Sequence, residues 1–205
     1  MKSRRSRIQP IRGGRAFPSI RIAVTLPELS QVSNRARVTK TAGMNRFVWD
    51  VRHQSGLSVP PGGYQARLRV NDRVLTQPFA VLIDPNVAAD GVTVADLKEQ
   101  FEHNLRVRDL VASVNQTISR LREAQGRLKG SQDAEKVKQV ELIAGKLLTQ
   151  PVRYGRPGLQ AHITYLASMT SRGDQKIGRD AVERYAELKK ELDAVNGELS
   201  RVLGQ

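Results

Sequence analysis

Two different spacings of apolar residues divide the chain near Asp84. Before this point apolar positions alternate with polar ones, which is the pattern of strands buried on one face. Beyond Thr93 apolar residues recur every three or four positions, which is the pattern of amphipathic helices. We therefore expect an α+β protein in which an antiparallel β module is followed by an antiparallel α-helical bundle.

Five extended segments separated by turn residues are predicted in the first part, at 19–26, 36–41, 46–52, 63–70 and 74–83. The third segment is the most informative, because Phe47, Trp49 and Val51 fall at period two and share one face. We expect that face to be buried, with Trp49 in the core. Segments of this number and length fit an immunoglobulin-like antiparallel β-sandwich over residues 19–86.

Four helices are predicted within a bundle domain of residues 93–205, at 93–129, about 132–149, 159–170 and 180–203. The first begins at Thr93, with Asp96 three residues later at the spacing of a capping box. At 1.5 Å per residue it is roughly 55 Å long, so we expect it to be the spine of the bundle. The alternative is that the apolar seams pair between molecules as a coiled coil.

The formal net charge of +14 is concentrated at the start of the chain. The first 15 residues carry no acidic side chain and six basic ones, Lys2, Arg4, Arg5, Arg7, Arg12 and Arg15. We expect residues 1–18 to form a disordered basic tail. Such a tail binds phosphates by releasing counterions, although Phe17 is the one aromatic residue near enough to stack on bases. Nucleic-acid binding by the tail is the third of our functional hypotheses.

Residue types that carry catalysis or hold metals are sparse. The chain has no cysteine, and its three histidines, His53, His103 and His162, fall on different predicted elements. No histidine pair has the i, i+4 spacing of a zinc-binding helix. The sequence therefore predicts no catalytic residue, cofactor or metal site, and we expect the histidines at surface or boundary positions. No apolar run is long enough to span a membrane, and no signal peptide is evident, so the sequence as written predicts a cytoplasmic location.

Two loops bracket the predicted helix at 159–170 and concentrate arginine with other polar residues. Loops held by rigid helices often carry binding sites. We expect one interaction surface at one end of the bundle, formed by Arg153, Tyr154, Arg156, Arg172, Asp174 and Lys176. The alternative is that Tyr154, Pro157 and Tyr165 seal the bundle end.

Five stretches within about 39–203 carry a resemblance to a known family: AGMNRFVWDVRH, PPGGYQARLRV, TQPFAVLIDPNV, TVADLKEQF and YLASMTSRGDQKIGRDAVERYAELKKEL. They resemble the C-terminal region of bacterial sortilin-like or BNR-repeat β-propeller proteins, which are named as glycosyl hydrolases. The resemblance implies an immunoglobulin-like module and a helical bundle that follow a propeller. It also implies a location outside the cytoplasm.

The resemblance implies a non-catalytic accessory module that supports a β-propeller or mediates protein contacts in the cell envelope. The expected partner is a protein, either the propeller domain or an envelope component, rather than a nucleic acid. This chain carries no propeller repeats. The alternative is therefore that it is the C-terminal part of a propeller-type hydrolase, of the glycosidase kind, whose catalytic residues lie outside it.

Overall fold

The computed structural model describes the backbone of residues 20–25 and, in full, residues 42–130 and 132–204. Three antiparallel strands form one sheet in the order β1 (Ile20–Thr25), β2 (Gly62–Val70) and β3 (Arg73–Val81). A two-residue turn joins β2 to β3, and its first residue, Asn71, has a φ of 52°. Asparagine tolerates this left-handed conformation better than most residues. The strand predicted at 36–41 and the tail predicted at 1–18 lie outside the described residues.

The predicted β-sandwich is wrong. A sandwich requires two sheets packed face to face, and the described residues form a single three-stranded sheet in a mostly helical chain. The segment 46–52 is irregular, apart from one bridge between Arg52 and Ser58. Val51 has a φ of 56°, and the Trp49 indole N–H donates to the Arg52 carbonyl at 3.0 Å. Both features turn the chain back on itself, so the alternating residues cannot form an extended strand.

A short helix, α1 (Pro85–Ala89), connects the sheet to four longer helices: α2 (Val94–Arg127), α3 (Ala134–Leu147), α4 (Leu159–Thr170) and α5 (Arg179–Leu203). The longer four begin and end within two residues of the predicted bounds. The capping box is present, because the Asp96 N–H donates to Thr93 Oγ1 at 3.1 Å and the Thr93 N–H donates to Asp96 Oδ2 at 2.9 Å. None of the helices in the described ranges is long and apolar enough to cross a membrane.

Contacts along α2 fix the directions of the other helices. Thr117 and Arg120 of α2 contact Asn196 and Ser200 of α5 at 2.7 Å and 3.1 Å, so α2 and α5 run parallel. α4 runs antiparallel to α2. Gln160, near the start of α4, donates to Asn115, and the Thr170 carbonyl at its end accepts from Gln100. α3 and α4 therefore follow one another along α2 and cover its two halves in turn.

The bundle core lies where these helices meet. Its fully buried side chains come from every long helix and include Val114, Leu121, Leu147, Ile163, Leu188, Leu192 and Leu199. Replacing one such leucine with alanine costs about 2–5 kcal/mol. The bundle is thus a stable platform for the loops and the sheet attached to it.

Candidate functional site

The six residues predicted as one interaction surface lie in two separate places. Arg153, Tyr154 and Arg156 precede α4, whereas Arg172, Asp174 and Lys176 follow it. The 12 residues of α4 separate the two groups by about 18 Å. All six side chains are exposed, but the structure does not bring them together at one end of the bundle.

The first group lies beside the middle of α2, where the chain passes from α3 to α4. Gly158 packs so tightly there that a Cβ atom would lie 2.5 Å from the Leu148 carbonyl carbon. Tyr154 is 90% exposed with a φ of 63°, and the Arg153 guanidinium lies 5.3 Å from its ring centroid. Tyr154 therefore does not seal the bundle, and neither does Tyr165, which is 65% exposed.

The second group is held by a glutamine that the sequence analysis did not identify. Gln100 of α2 is buried, and its Nε2 donates to the carbonyls of Thr170 at 2.9 Å and Gly173 at 2.6 Å. Its Oε1 accepts from the Gln175 N–H at 3.3 Å. Asn104 Nδ2 donates to the same Thr170 carbonyl at 3.0 Å. The Thr170 carbonyl is one that the end of α4 leaves without a helical partner, and the bonds to Gly173 and Gln175 fix the loop that follows.

A cleft of about 500 Å³ separates this loop from the sheet module, by which we mean the three strands with residues 42–61 and 82–84. Its walls are residues 50–52, 56–61 and 82–84, the start of α2, and the loop that carries Arg172 and Asp174. Both signs of charge line it, because Asp50, Asp84 and Asp174 oppose Arg52 and Arg172. Lys176 lies outside this lining, with its Nζ 3.8 Å from Asp96 Oδ1. Because acidic and basic side chains both line the cleft, it favours a polar ligand without net charge.

His103 lies in the seam between α2 and α5, and the expectation that it is a surface or boundary residue is wrong. Its side chain is fully buried, and its ring centroid is 5.9 Å from that of Tyr185. Neither ring nitrogen has a hydrogen-bond partner among the described residues. Burial lowers the pKa of His103 below its usual 6.5; the Arg106 charge lowers this pKa further and the Glu99 charge opposes the shift.

The other two histidines lie on other elements. His53 is partly buried, with Nδ1 2.9 Å from Ser55 Oγ and its ring centroid 5.5 Å from that of Phe101. Burial and the Arg108 charge lower the pKa of His53. His162 is exposed on α4. In residues 42–130 and 132–204, no three histidine, aspartate or glutamate side chains are grouped as metal ligands.

The sheet presents two chemically different faces. Tyr64 pairs with Phe79, and Leu68 with Leu75, so these four residues share an apolar face. Trp49 covers the end near the bundle, with ring centroids 5.6 Å from Tyr64 and 5.9 Å from Phe79. The far end is open, and Leu75 is 67% exposed. The opposite face carries the exposed side chains of Arg67 and Arg69.

Comparison of the chain with protein-family models, curated proteins and solved structures found no match. The resemblance to propeller-associated proteins therefore stays a prediction from the sequence. What the structure adds is geometric: a packed bundle, a mixed-charge cleft, and a small sheet with one apolar and one basic face.

Proposed function

We propose that this chain is a non-catalytic interaction module that packs against another protein in the cell envelope. The observation that carries the proposal is the open half of the apolar sheet face. Leu75 is 67% exposed at its centre, although its register partner Leu68 and the neighbouring Val70 are half-buried. A β-propeller domain is the partner that the sequence resemblance favours.

Further exposed apolar residues support a protein partner. Met44 is 98% exposed, Val48 is 66% exposed and Leu82 is 82% exposed, and all three belong to the sheet module. Single exposed apolar residues are common, so these three favour a protein contact only as a group within one small module. Burying a leucine of this exposure contributes about 1–2 kcal/mol to a complex, from its apolar area.

The bundle supplies a rigid support for that contact. Gln100 and Asn104 fix the loop after α4, and the edge-to-face contact of Phe101 with His53 joins α2 to the sheet module. A partner that docks on the sheet is therefore connected to the bundle through this ring contact. Such support is what an accessory module contributes to a larger assembly.

Site-specific photocrosslinking tests the proposal. A photoreactive phenylalanine analogue replaces Leu75 in one variant and Leu142, which is 60% exposed on α3, in a control variant. In cells that produce the protein natively, we expect the probe at 75 to give one dominant adduct with a propeller-repeat protein. We expect no such adduct from the probe at 142. Identical adducts from both sites, or none from either, would contradict the proposal.

A further inference from the structure

The loop that follows α4 is fixed at the place where it forms one wall of the cleft. The Gln100 side chain donates to the carbonyls of Thr170 and Gly173. The Asn104 side chain donates to the Thr170 carbonyl as well. Both amides are buried on α2, which packs into the bundle core. A loop fixed in this way loses little conformational entropy when its side chains bind a ligand.

Five charged side chains line the cleft, and three of them are bonded within the sheet module or at the start of α1. The Asp50 carboxylate accepts from the Arg52 N–H at 3.2 Å, and Arg52 Nη1 donates to the Gly56 carbonyl at 2.6 Å. Asp84 caps α1, because its Oδ1 accepts from the Asn86 N–H at 2.8 Å. These three charges therefore contribute to local structure on one side of the cleft.

The remaining two charges, Arg172 and Asp174, lie on the fixed loop. Both are exposed, and neither side chain forms an ion pair or a hydrogen bond within the described part of the chain. Two steps along the chain span at most about 7 Å, so the two backbone positions lie within that distance. A cation and an anion this close together match a ligand that carries one charge of each sign.

The α2 side of the cleft is mostly apolar and contains one acceptor without a partner. Leu97 and Phe101 line it and are buried. Asn104 also lines it and is 8% exposed, and its Oδ1 has no hydrogen-bond partner among the described residues. A buried acceptor without a donor is destabilising, so a ligand N–H that reaches it contributes to binding. The cleft volume of about 500 Å³ is also typical of small-molecule sites.

We propose that the cleft binds a small zwitterion, either a free α-amino acid or a short peptide, through Arg172 and Asp174. Arg172 pairs with the ligand carboxylate, because a planar guanidinium donates two parallel hydrogen bonds to such a group. Asp174 accepts from the ligand ammonium. A zwitterion has no net charge, which fits the mixed lining of the cleft. The inference goes beyond the proposed protein contact, because it uses the cleft and not the apolar face of the sheet.

Nuclear magnetic resonance titration of the ¹⁵N-labelled full chain tests this proposal. The probes are L-alanine and L-alanyl-L-alanine. Each is also tested as its N-acetyl derivative, which keeps only the carboxylate, and as its C-terminal amide, which keeps only the ammonium. We expect at least one zwitterion to shift the backbone amide signals of residues 171–175 saturably. It should bind about 10-fold more tightly than either of its singly charged derivatives.

Two variants separate the roles of the two charges. R172Q should bind the zwitterion about 10-fold more weakly, and no more tightly than its amide derivative. D174N should weaken binding to the same extent, and should bind the zwitterion no more tightly than its N-acetyl derivative. Both positions are exposed, so both variants should fold. The controls R153Q and D109N remove the same charges from exposed positions outside the cleft and should leave the affinity unchanged.

No saturable shift with either zwitterion at about 20 mM would overturn the proposal. So would equal affinity for a zwitterion and its singly charged derivatives, or an equal loss of affinity in R172Q and R153Q. Tighter binding of the dipeptide would assign the site to short peptides, and tighter binding of L-alanine to free amino acids. The Leu75 crosslinking result stands independently of all these outcomes, since that residue does not line the cleft.

Discussion

Replacing His103 with leucine should stabilise the protein, and more strongly in mild acid. His103 is fully buried, and within the described part of the chain neither ring nitrogen has a hydrogen-bond partner. A buried polar group without a hydrogen bond costs about 1–3 kcal/mol, and leucine removes that cost while filling a similar volume. At pH 7.5 we expect H103L to raise the free energy of unfolding by about 1 kcal/mol.

The dependence on pH follows from the direction of the pKa shift. Burial, aided by the Arg106 charge, lowers the pKa of His103 in the folded state below the 6.5 of the unfolded state. As the pH falls below 6.5, the unfolded chain takes up a proton that the folded chain does not, so stability is lost. If the folded state takes up none, this loss reaches about 1.4 kcal/mol at pH 5.5. The advantage of H103L should therefore grow by up to that amount between pH 7.5 and 5.5.

Urea unfolding at both pH values measures this difference. His53, whose pKa is also lowered, is present in both proteins, so its contribution cancels in the comparison. H162L removes an imidazole from an exposed position of α4 and is the matched control. Parallel stability curves for H103L and the unmodified chain would refute the reasoning. So would a large loss of stability in H103L at pH 7.5.

Three further predictions concern packing and hydrogen bonding. In urea titrations, Q100A should lower the free energy of unfolding by about 2 kcal/mol, because it removes the hydrogen bonds to Thr170 and Gly173. The control Q116A changes an exposed glutamine and should alter this free energy little. G158A should lower the free energy of unfolding by about 3 kcal/mol, because the added methyl group clashes with Leu148. G197A has open space around it inside α5 and should raise the free energy of unfolding by about 0.5–1 kcal/mol. Thermal melts of the two variants at similar temperatures would contradict this. Burial raises the pKa of Tyr64 to about 12, so this residue should make stability fall as the pH rises above 10, and Y64F should lessen that fall.

The helices could be predicted closely because their apolar spacing has a single physical cause. Each long helix must bury one stripe, and the stripe of α5 contains Leu188, Leu192, Val195 and Leu199. The strands β2 and β3 were also predicted, as the segments 63–70 and 74–83, because apolar and polar residues alternate along both. In both cases local pattern and tertiary packing agree.

The segment 46–52 shows where the alternating pattern fails. Phe47 and Trp49 are half-buried and Val51 is 41% exposed, so the expected buried face is incomplete. Alternation predicts a strand only if the backbone stays extended, and the positive φ of Val51 breaks that condition. Valine rarely adopts a positive φ, so the residue types of this segment do not predict the turn. The sandwich prediction failed for this reason.

The buried polar residues of α2 were missed because the sequence analysis followed only apolar positions. Gln100, Asn104 and Val107 continue the stripe that begins at Leu97, at alternating steps of three and four. That spacing was the available signal. A polar residue in register with an apolar stripe indicates a buried hydrogen bond, and Gln100 provides one to the loop after α4.

The separation of the apolar and basic faces of the sheet depends on the register of one hairpin. Val70 pairs with Arg73 across the turn, which places Leu68 opposite Leu75 and Arg69 opposite Val74. Because side chains alternate along a strand, a shift by one residue in β3 would move Leu75 to the basic face. Asn71, with its positive φ, and Asp72 form the turn that sets this register. The same two residues therefore keep the apolar surface proposed for a protein contact on the face opposite Arg67 and Arg69.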